Sequence, residues 1–294
     1  MYLFLAILAN VAIFAIFRLI PRLKAVTLHT IVVNYWVCVA TGALYSLNNP
    51  NWNTISFSGP WVPWTLLLAV IFITTFMLMA TTTQRISMTV ATIATKMSLA
   101  IPVVFSLLFL GVQAKAYDAW NYLGIALAFP AIALASWSKP NAATAAETPL
   151  WRRLALPFSL FLMGGLIDSL VNFVNLNFVP NDFSPVFTVV LFAVTGILGI
   201  LILVVRREVP SRRSVLAGII LGVPNYFSIF FVLRALADYN NDGALLYPLL
   251  NLGIILTSAL VGLLAFGERL TRTKIIGLAP ALLAITLLSY QELF

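Results

Sequence analysis

Long apolar runs, separated by short stretches holding basic residues, prolines or both, follow one another along the chain. Ten can be traced, at roughly residues 2–20, 27–47, 62–83, 88–109, 118–137, 154–177, 183–205, 213–236, 243–265 and 273–290. Each is close to the about 20 residues that a helix needs to cross the hydrocarbon core of a bilayer. The pattern predicts an all-α integral membrane protein of ten transmembrane helices. The first run, Tyr2 to Ile20, is long enough to span and has no basic segment before it, so it reads as a span rather than a cleavable signal.

Polar residues inside the runs say more than the runs themselves. Lys96 lies near the middle of the fourth, about 10 residues from either end, or roughly 15 Å at the helical rise. That is further than a lysine stem can reach to bring its charge to the membrane surface. Thr89, Thr92 and Lys96 share one helical face. A central charge must face protein or water, and it marks a substrate or ion pathway by default; a lysine locked in a structural ion pair is the plain alternative. The sixth run carries Gly164, Asp168, Asn172 and Asn175 along one face, and the ninth carries Tyr247, Asn251 and Ser258. Asn225 and Ser228 mark the eighth; Asn34, Cys38 and Thr41 mark the second. Any single Asn in a membrane core is accounted for by helix-to-helix hydrogen bonding. Taken together, their similar depth points to a cavity, and Lys96, Asp168, Thr92, Asn172, Asn225, Tyr247 and Asn251 are the candidate substrate-binding residues.

A lone mid-helix carboxylate either neutralises or finds a cation. Asp168 is open to three readings: a structural salt bridge with Lys96, the ammonium-binding end of a zwitterion site whose carboxylate end is Lys96, or the proton carrier that couples transport to a gradient. Proline removes a helical hydrogen bond. Pro102 in the fourth run, and Gly243 with Pro248 in the ninth, are the candidate hinges.

The two halves resemble each other. Thr41-Gly42 matches Thr195-Gly196 at an offset of 154, and Gly124 to Ser136 runs beside Gly277 to Ser289 at an offset of 153. Phe76 and Ala80 match Phe231 and Ala235 at an offset of 155. The expected organisation is a five-helix repeat over 1–137, a linker over 138–153 rich in Ala, Thr and Pro, and a second repeat over 154–294. A repeat of five spans inverts its second copy, an arrangement characteristic of secondary transporters with a midplane site. The fifth and tenth spans, almost wholly apolar, fit outer or dimer-facing positions in a monomer or homodimer.

Composition and charge narrow the class. Hydrophobic residues make up 62% of the chain and charged residues 9%, with a mean hydropathy of +1.02. The net charge of +8 does not point to nucleic acid here, because fourteen of the 17 basic residues fall in the odd-numbered loops, against Lys115 and Arg234 on the opposite side. The positive-inside rule places those loops in the cytoplasm and both termini outside. The lone Cys38 and lone His29 exclude an intramolecular disulfide, and no metal site is expected. No catalytic carboxylate pair, histidine triad or phosphate-binding glycine loop is visible, so neither an enzyme nor a cofactor is expected.

Gly267-Glu268-Arg269-Leu270, followed by Gly277, resembles the turn between the last two spans of the EamA-type repeat of the drug/metabolite transporter superfamily. The first half departs from that pattern, with Gly111-Val112-Gln113 in place of the Glu-Arg turn. The resemblance implies a cavity surrounded by the first, third, fourth, sixth, eighth and ninth spans. It implies cytoplasmic termini, whereas the charge count places both termini outside. The expected function is secondary active transport, as an exporter, of a small metabolite such as an amino acid by alternating access, in the inner membrane of a bacterium. Its partners are then the solute, membrane lipids and a coupling proton. The alternative is a flippase for a lipid or lipid-linked group.

Overall fold

A computed structural model describes residues 1–47, 49–50, 52, 59–105, 118–136, 150–179, 184–239, 243–268 and 272–293, and no strand occurs among them. The helices are α1 (Tyr2–Leu19), α2 (Thr27–Tyr45), α3 (Val62–Arg85), α4 (Met88–Met97), α5 (Ala100–Phe105), α6 (Ala119–Ser136), α7 (Leu150–Phe178), α8 (Ser184–Arg206), α9 (Arg212–Asp238), α10 (Gly243–Phe266), α11 (Arg272–Leu288) and α12 (Tyr290–Leu293). Seven of them, α1, α2, α3, α7, α8, α9 and α10, are long and apolar enough to cross a membrane. The protein is an all-α membrane protein. The fifth and tenth expected spans form the shorter apolar helices α6 and α11.

The fourth run does not form the single helix expected over 88–109. It stops at Met97 and resumes at Ala100. Pro102 has no N–H to offer the carbonyl of Ser98 four residues back. The Ser98 carbonyl accepts instead from Ile101 N, at 2.9 Å. Residues 106–109 lie outside the described residues, as do 138–149 of the expected linker; helix α7 already begins at Leu150, inside it.

The chain forms two compact units, and each draws on both halves of the sequence. The first comprises Met1–Arg18, Leu78–Leu166 and Phe227–Phe294; the second comprises Leu19–Met77 and Ile167–Tyr226.

In the first unit, α6 and α11 run antiparallel with their backbones touching. A Cβ on Gly124 would come within 2.6 Å of Leu288 N, and one on Gly277 within 2.4 Å of Ala135 N, so only glycine permits this approach. Ile93 and Met97 of α4 pack into the same core as Ala128, Ile132, Ala281 and Ile285. The amino end of α6 is closed by a reciprocal cap. Asp118 Oδ1 accepts from the N–H groups of Trp120 and Asn121 at 3.0 and 3.3 Å, while Asn121 Oδ1 accepts from Asp118 N at 3.0 Å. Asn121 Nδ2 also donates to the carbonyl of Leu288 at 2.8 Å, joining the cap to the end of α11.

Tyr290 completes this junction by donating its hydroxyl to Asp118 Oδ2. That bond, followed by the backbone N–H groups, holds the Asp118 carboxyl below its ordinary range. A lowered native value means that the carboxylate contributes stability above the unfolded pKa, and that this is lost as pH falls through the native one. The melting temperature of Tyr290→Phe should therefore lie below wild type at pH 7, by a few degrees. The gap should close in acid, once Asp118 is protonated in both proteins; a gap unchanged across that range would show that the hydroxyl acts elsewhere.

In the second unit, Gly42 of α2 faces Val189 of α8 and Gly199 of α8 faces Val32, which makes the pair antiparallel. Helix α9 lies parallel to α2, with Gly218 against Val33 and Gly222 against Val37. Their spacing of four residues gives α9 the small-residue stripe that lets membrane helices approach closely. Tyr35 packs between Phe76 and Phe192, with ring centroids at 5.4 and 6.1 Å.

Candidate functional site

The half-helix α4 is fixed at both ends. Ser87, in extended conformation before it, accepts from Val90 N at 3.1 Å in the usual side-chain cap. The two preceding N–H groups are taken by a residue far along the chain. Glu268 Oε1 accepts from Met88 N at 2.6 Å, and Oε2 accepts from Thr89 N at 3.5 Å and Thr89 Oγ1 at 3.1 Å. Glu268 is fully buried, and its own N–H donates to Gly262 O at 2.8 Å. Gly267, with φ of 61°, makes the left-handed turn after α10 that delivers this carboxylate. A carboxylate at a helix amino end also meets the positive pole of the helix dipole.

At the other end, Lys96 stands in the last turn of α4, where a cation meets the negative pole. Its ammonium donates to Asn10 Oδ1 of α1 at 3.3 Å. Asn10 Nδ2 donates back to Ala6 O at 2.9 Å, which turns the amide oxygen toward the lysine. The break follows at once: Ser98 Oγ donates to Thr95 O at 2.6 Å. Helix α7 comes close to the break because Gly164 leaves room for Ser98 and Gly165 for Ile101. A narrow crevice beside Lys96 is lined by Leu99, Ala100, Gly124, Ala128 and Ile285. A half-buried ammonium, a neutral amide and a broken helix thus meet in the first unit.

The other candidates divide. Thr92 is buried in α4 and donates its hydroxyl to Met88 O at 2.9 Å, so its proton is committed to its own helix. Asn251 is buried in α10 and Tyr247 is exposed there, both in the first unit. Asn225, in the second unit, donates to Asn34 Oδ1 at 3.1 Å and Cys38 Sγ at 3.4 Å, and so joins α9 to α2. Asp168, also of the second unit, is exposed on α7. The side chain of Asn172 lies outside the described residues. Of the hinge candidates, Pro102 accompanies the break in the fourth run, whereas α10 starts at Gly243 and continues unbroken through Pro248. Asn10 was missed by the reading of the sequence, although it is the single amide in the middle of an otherwise apolar first run.

No family model matches the chain. An uncharacterized protein of Haemophilus influenzae is 22% identical over 292 residues, covering 98% of this chain and 97% of its own. A solved protein crystal structure, 13% identical, superposes with a TM-score of 0.54 over 96% of this chain and 97% of that one. That likeness is one of fold alone.

Proposed function

We propose that this membrane protein is a secondary active transporter of the drug/metabolite kind, exporting a small metabolite such as an amino acid by alternating access around a midplane cavity. The observation that carries the reading is the seat of Lys96: a cation deep in an apolar run, in the last turn of a helix that breaks two residues later, facing a neutral amide. Discontinuous helices of this kind build the ion and substrate sites of transporters. An ammonium binds a carboxylate through strong charge-assisted hydrogen bonds, which suits a carboxylate-bearing solute.

The reading takes the chain as ten spans in two inverted five-helix repeats. Two contacts support the repeat. Gly124 meets Leu288 and Gly277 meets Ala135, and both residues of the first contact map onto those of the second at 277 − 124 = 288 − 135 = 153. Such exchange of partners is what a two-fold axis between like elements produces. Helices α2 and α8 behave similarly: Gly42 meets Val189 while Gly196 meets Trp36, and the two glycines are 154 residues apart. We further read both termini as external, in the inner membrane of a bacterium.

A metabolite that raises the melting temperature of the purified protein, by binding the native state, should lose that effect in Lys96→Ala. A screen of amino acids and related carboxylates in which every stabilising solute acts equally on both proteins would overturn the reading. Asp168, the carboxylate within α7, is assigned the coupling proton. Asp168→Asn should then transport solute down its own gradient while losing at least about tenfold of the stimulation by a pH gradient in proteoliposomes. Undiminished stimulation would leave Asp168 only a pairing role.

A further inference from the structure

One end of the second unit gathers three helix ends. Antiparallel packing of α2 on α8, and parallel packing of α9 on α2, bring together the amino ends of α2 and α9 and the carboxy end of α8. The loops are stapled there: Val26 N donates to Ser214 Oγ at 3.0 Å, and His29 Nε2 donates to Glu208 Oε2 at 2.9 Å. Glu208 is the single carboxylate of the two loops, and the buried His29 faces it. Around it Lys24, Arg206, Arg207, Arg212 and Arg213 are all exposed.

Two of these cations sit on unfavourable backbone. Lys24 and Arg207, with φ of 54° and 55°, are the two non-glycine residues in the left-handed region among the described residues. Both turns are closed by the same pair of hydrogen bonds. Lys24 N donates to Pro21 O and Ala25 N to Ile20 O, while Arg207 N donates to Val204 O and Glu208 N to Leu203 O. Glycine is the residue this position ordinarily takes, because a Cβ is strained there. Strained backbone kept at two neighbouring turns, each time under a long cation, signals a function for the side chains.

Aliphatic side chains stand out between the charges. Val205 and Val209 are 83% and 84% exposed, and Leu23 and Val26 are 44% and 46% exposed. Apolar tips flanked by cations at the end of membrane helices match the boundary where acyl chains give way to phosphate.

We propose that this face is a binding site for an anionic phospholipid, with Lys24 and Arg207 holding the headgroup phosphate, Arg206, Arg212 and Arg213 supplying the field, and Leu23, Val205 and Val209 lying against the acyl chains. The site is independent of any solute the protein moves. By the charge bias of the loops it faces the cytoplasmic leaflet. A purely topogenic role for the same charges is the competing outcome.

The test uses the full chain, purified in detergent and stripped of lipid, with melting temperature and lipid adducts in native mass spectrometry as readouts. Phosphatidylglycerol should raise the melting temperature and form a defined adduct; phosphatidylcholine should do neither. The double substitution Lys24→Gly/Arg207→Gly relieves both turns, so its lipid-free melting temperature should equal or exceed that of wild type. It should need roughly 30-fold more phosphatidylglycerol for the same rise, at about fivefold per basic side chain near an anionic surface. The proposal is overturned if the glycine pair responds to phosphatidylglycerol as wild type does, if phosphatidylcholine works equally well, or if soluble glycerol phosphate reproduces the whole shift. If the glycine pair melts below wild type, Lys24→Asn/Arg207→Asn, which also tolerates the left-handed turn, is read in its place by the same outcomes.

Discussion

Lys96→Ala should abolish solute movement in proteoliposomes while the protein still inserts, purifies as a single species and melts within a few degrees of wild type. Removing one partner of a desolvated charge pair costs about 2–5 kcal/mol, so transport at low solute should fall by at least about thirtyfold. Folding should survive for two reasons. Alanine is the best helix former, and a half-buried ammonium is itself expensive to keep in an apolar helix. Lys96→Arg keeps the charge but spreads it over a planar fork that does not match the single amide oxygen of Asn10; it should recover only part of the activity. Transport at the wild-type rate in the alanine variant would remove Lys96 from the pathway, and with it the observation on which the transporter reading rests.

How far such a site can be read from a sequence depends on which interactions are local. The position of Lys96 was legible because hydropathy alone shows that the run is apolar and that its ends are too far away. The seven long helices were legible for the same reason. The break after Met97 was only half legible: Pro102 marks a weakness, but its consequence falls four residues upstream, where the lost acceptor is. Partners distant in sequence left no trace. Nothing in the Gly-Glu-Arg turn says that Glu268 meets Met88 and Thr89, 180 and 179 residues away. Asn10 shows the opposite failure, a visible residue passed over because one amide in a membrane helix is so often packing glue. The two compact units were not legible either, since they interleave segments of both halves and no periodicity encodes that.

Glu268 is the residue on which the geometry of α4 most depends, and its replacement should be the most damaging to stability. A helix of ten residues is shorter than the about 12–15 at which isolated helices become even marginally stable. Its ends must therefore be held from outside. Glu268 takes the N–H groups of Met88 and Thr89, Ser87 takes that of Val90, and Lys96 stands at the far end, so charges of opposite sign face the two poles of one dipole. In Glu268→Ala two buried N–H groups lose their acceptor, at about 1–3 kcal/mol each. A loss of about 3 kcal/mol is expected, seen as a clear fall in melting temperature. Glu268→Gln keeps one oxygen for Met88 N and can still donate to Thr89 Oγ1, but its amide nitrogen cannot accept from Thr89 N; it gives up the charge and the longest of the three bonds, so its loss should be about half as large. The two variants should also separate in transport. Glu268→Gln should keep near-normal solute affinity, because α4 still starts at Met88. Glu268→Ala should weaken it several-fold, because a frayed first turn lets the whole half-helix, and the ammonium at its end, shift from Asn10. If Glu268→Ala melts with wild type, the carboxylate is not what anchors α4, and the position of Lys96 must be set by the packing of Ile93 and Met97 against α6 and α11 instead.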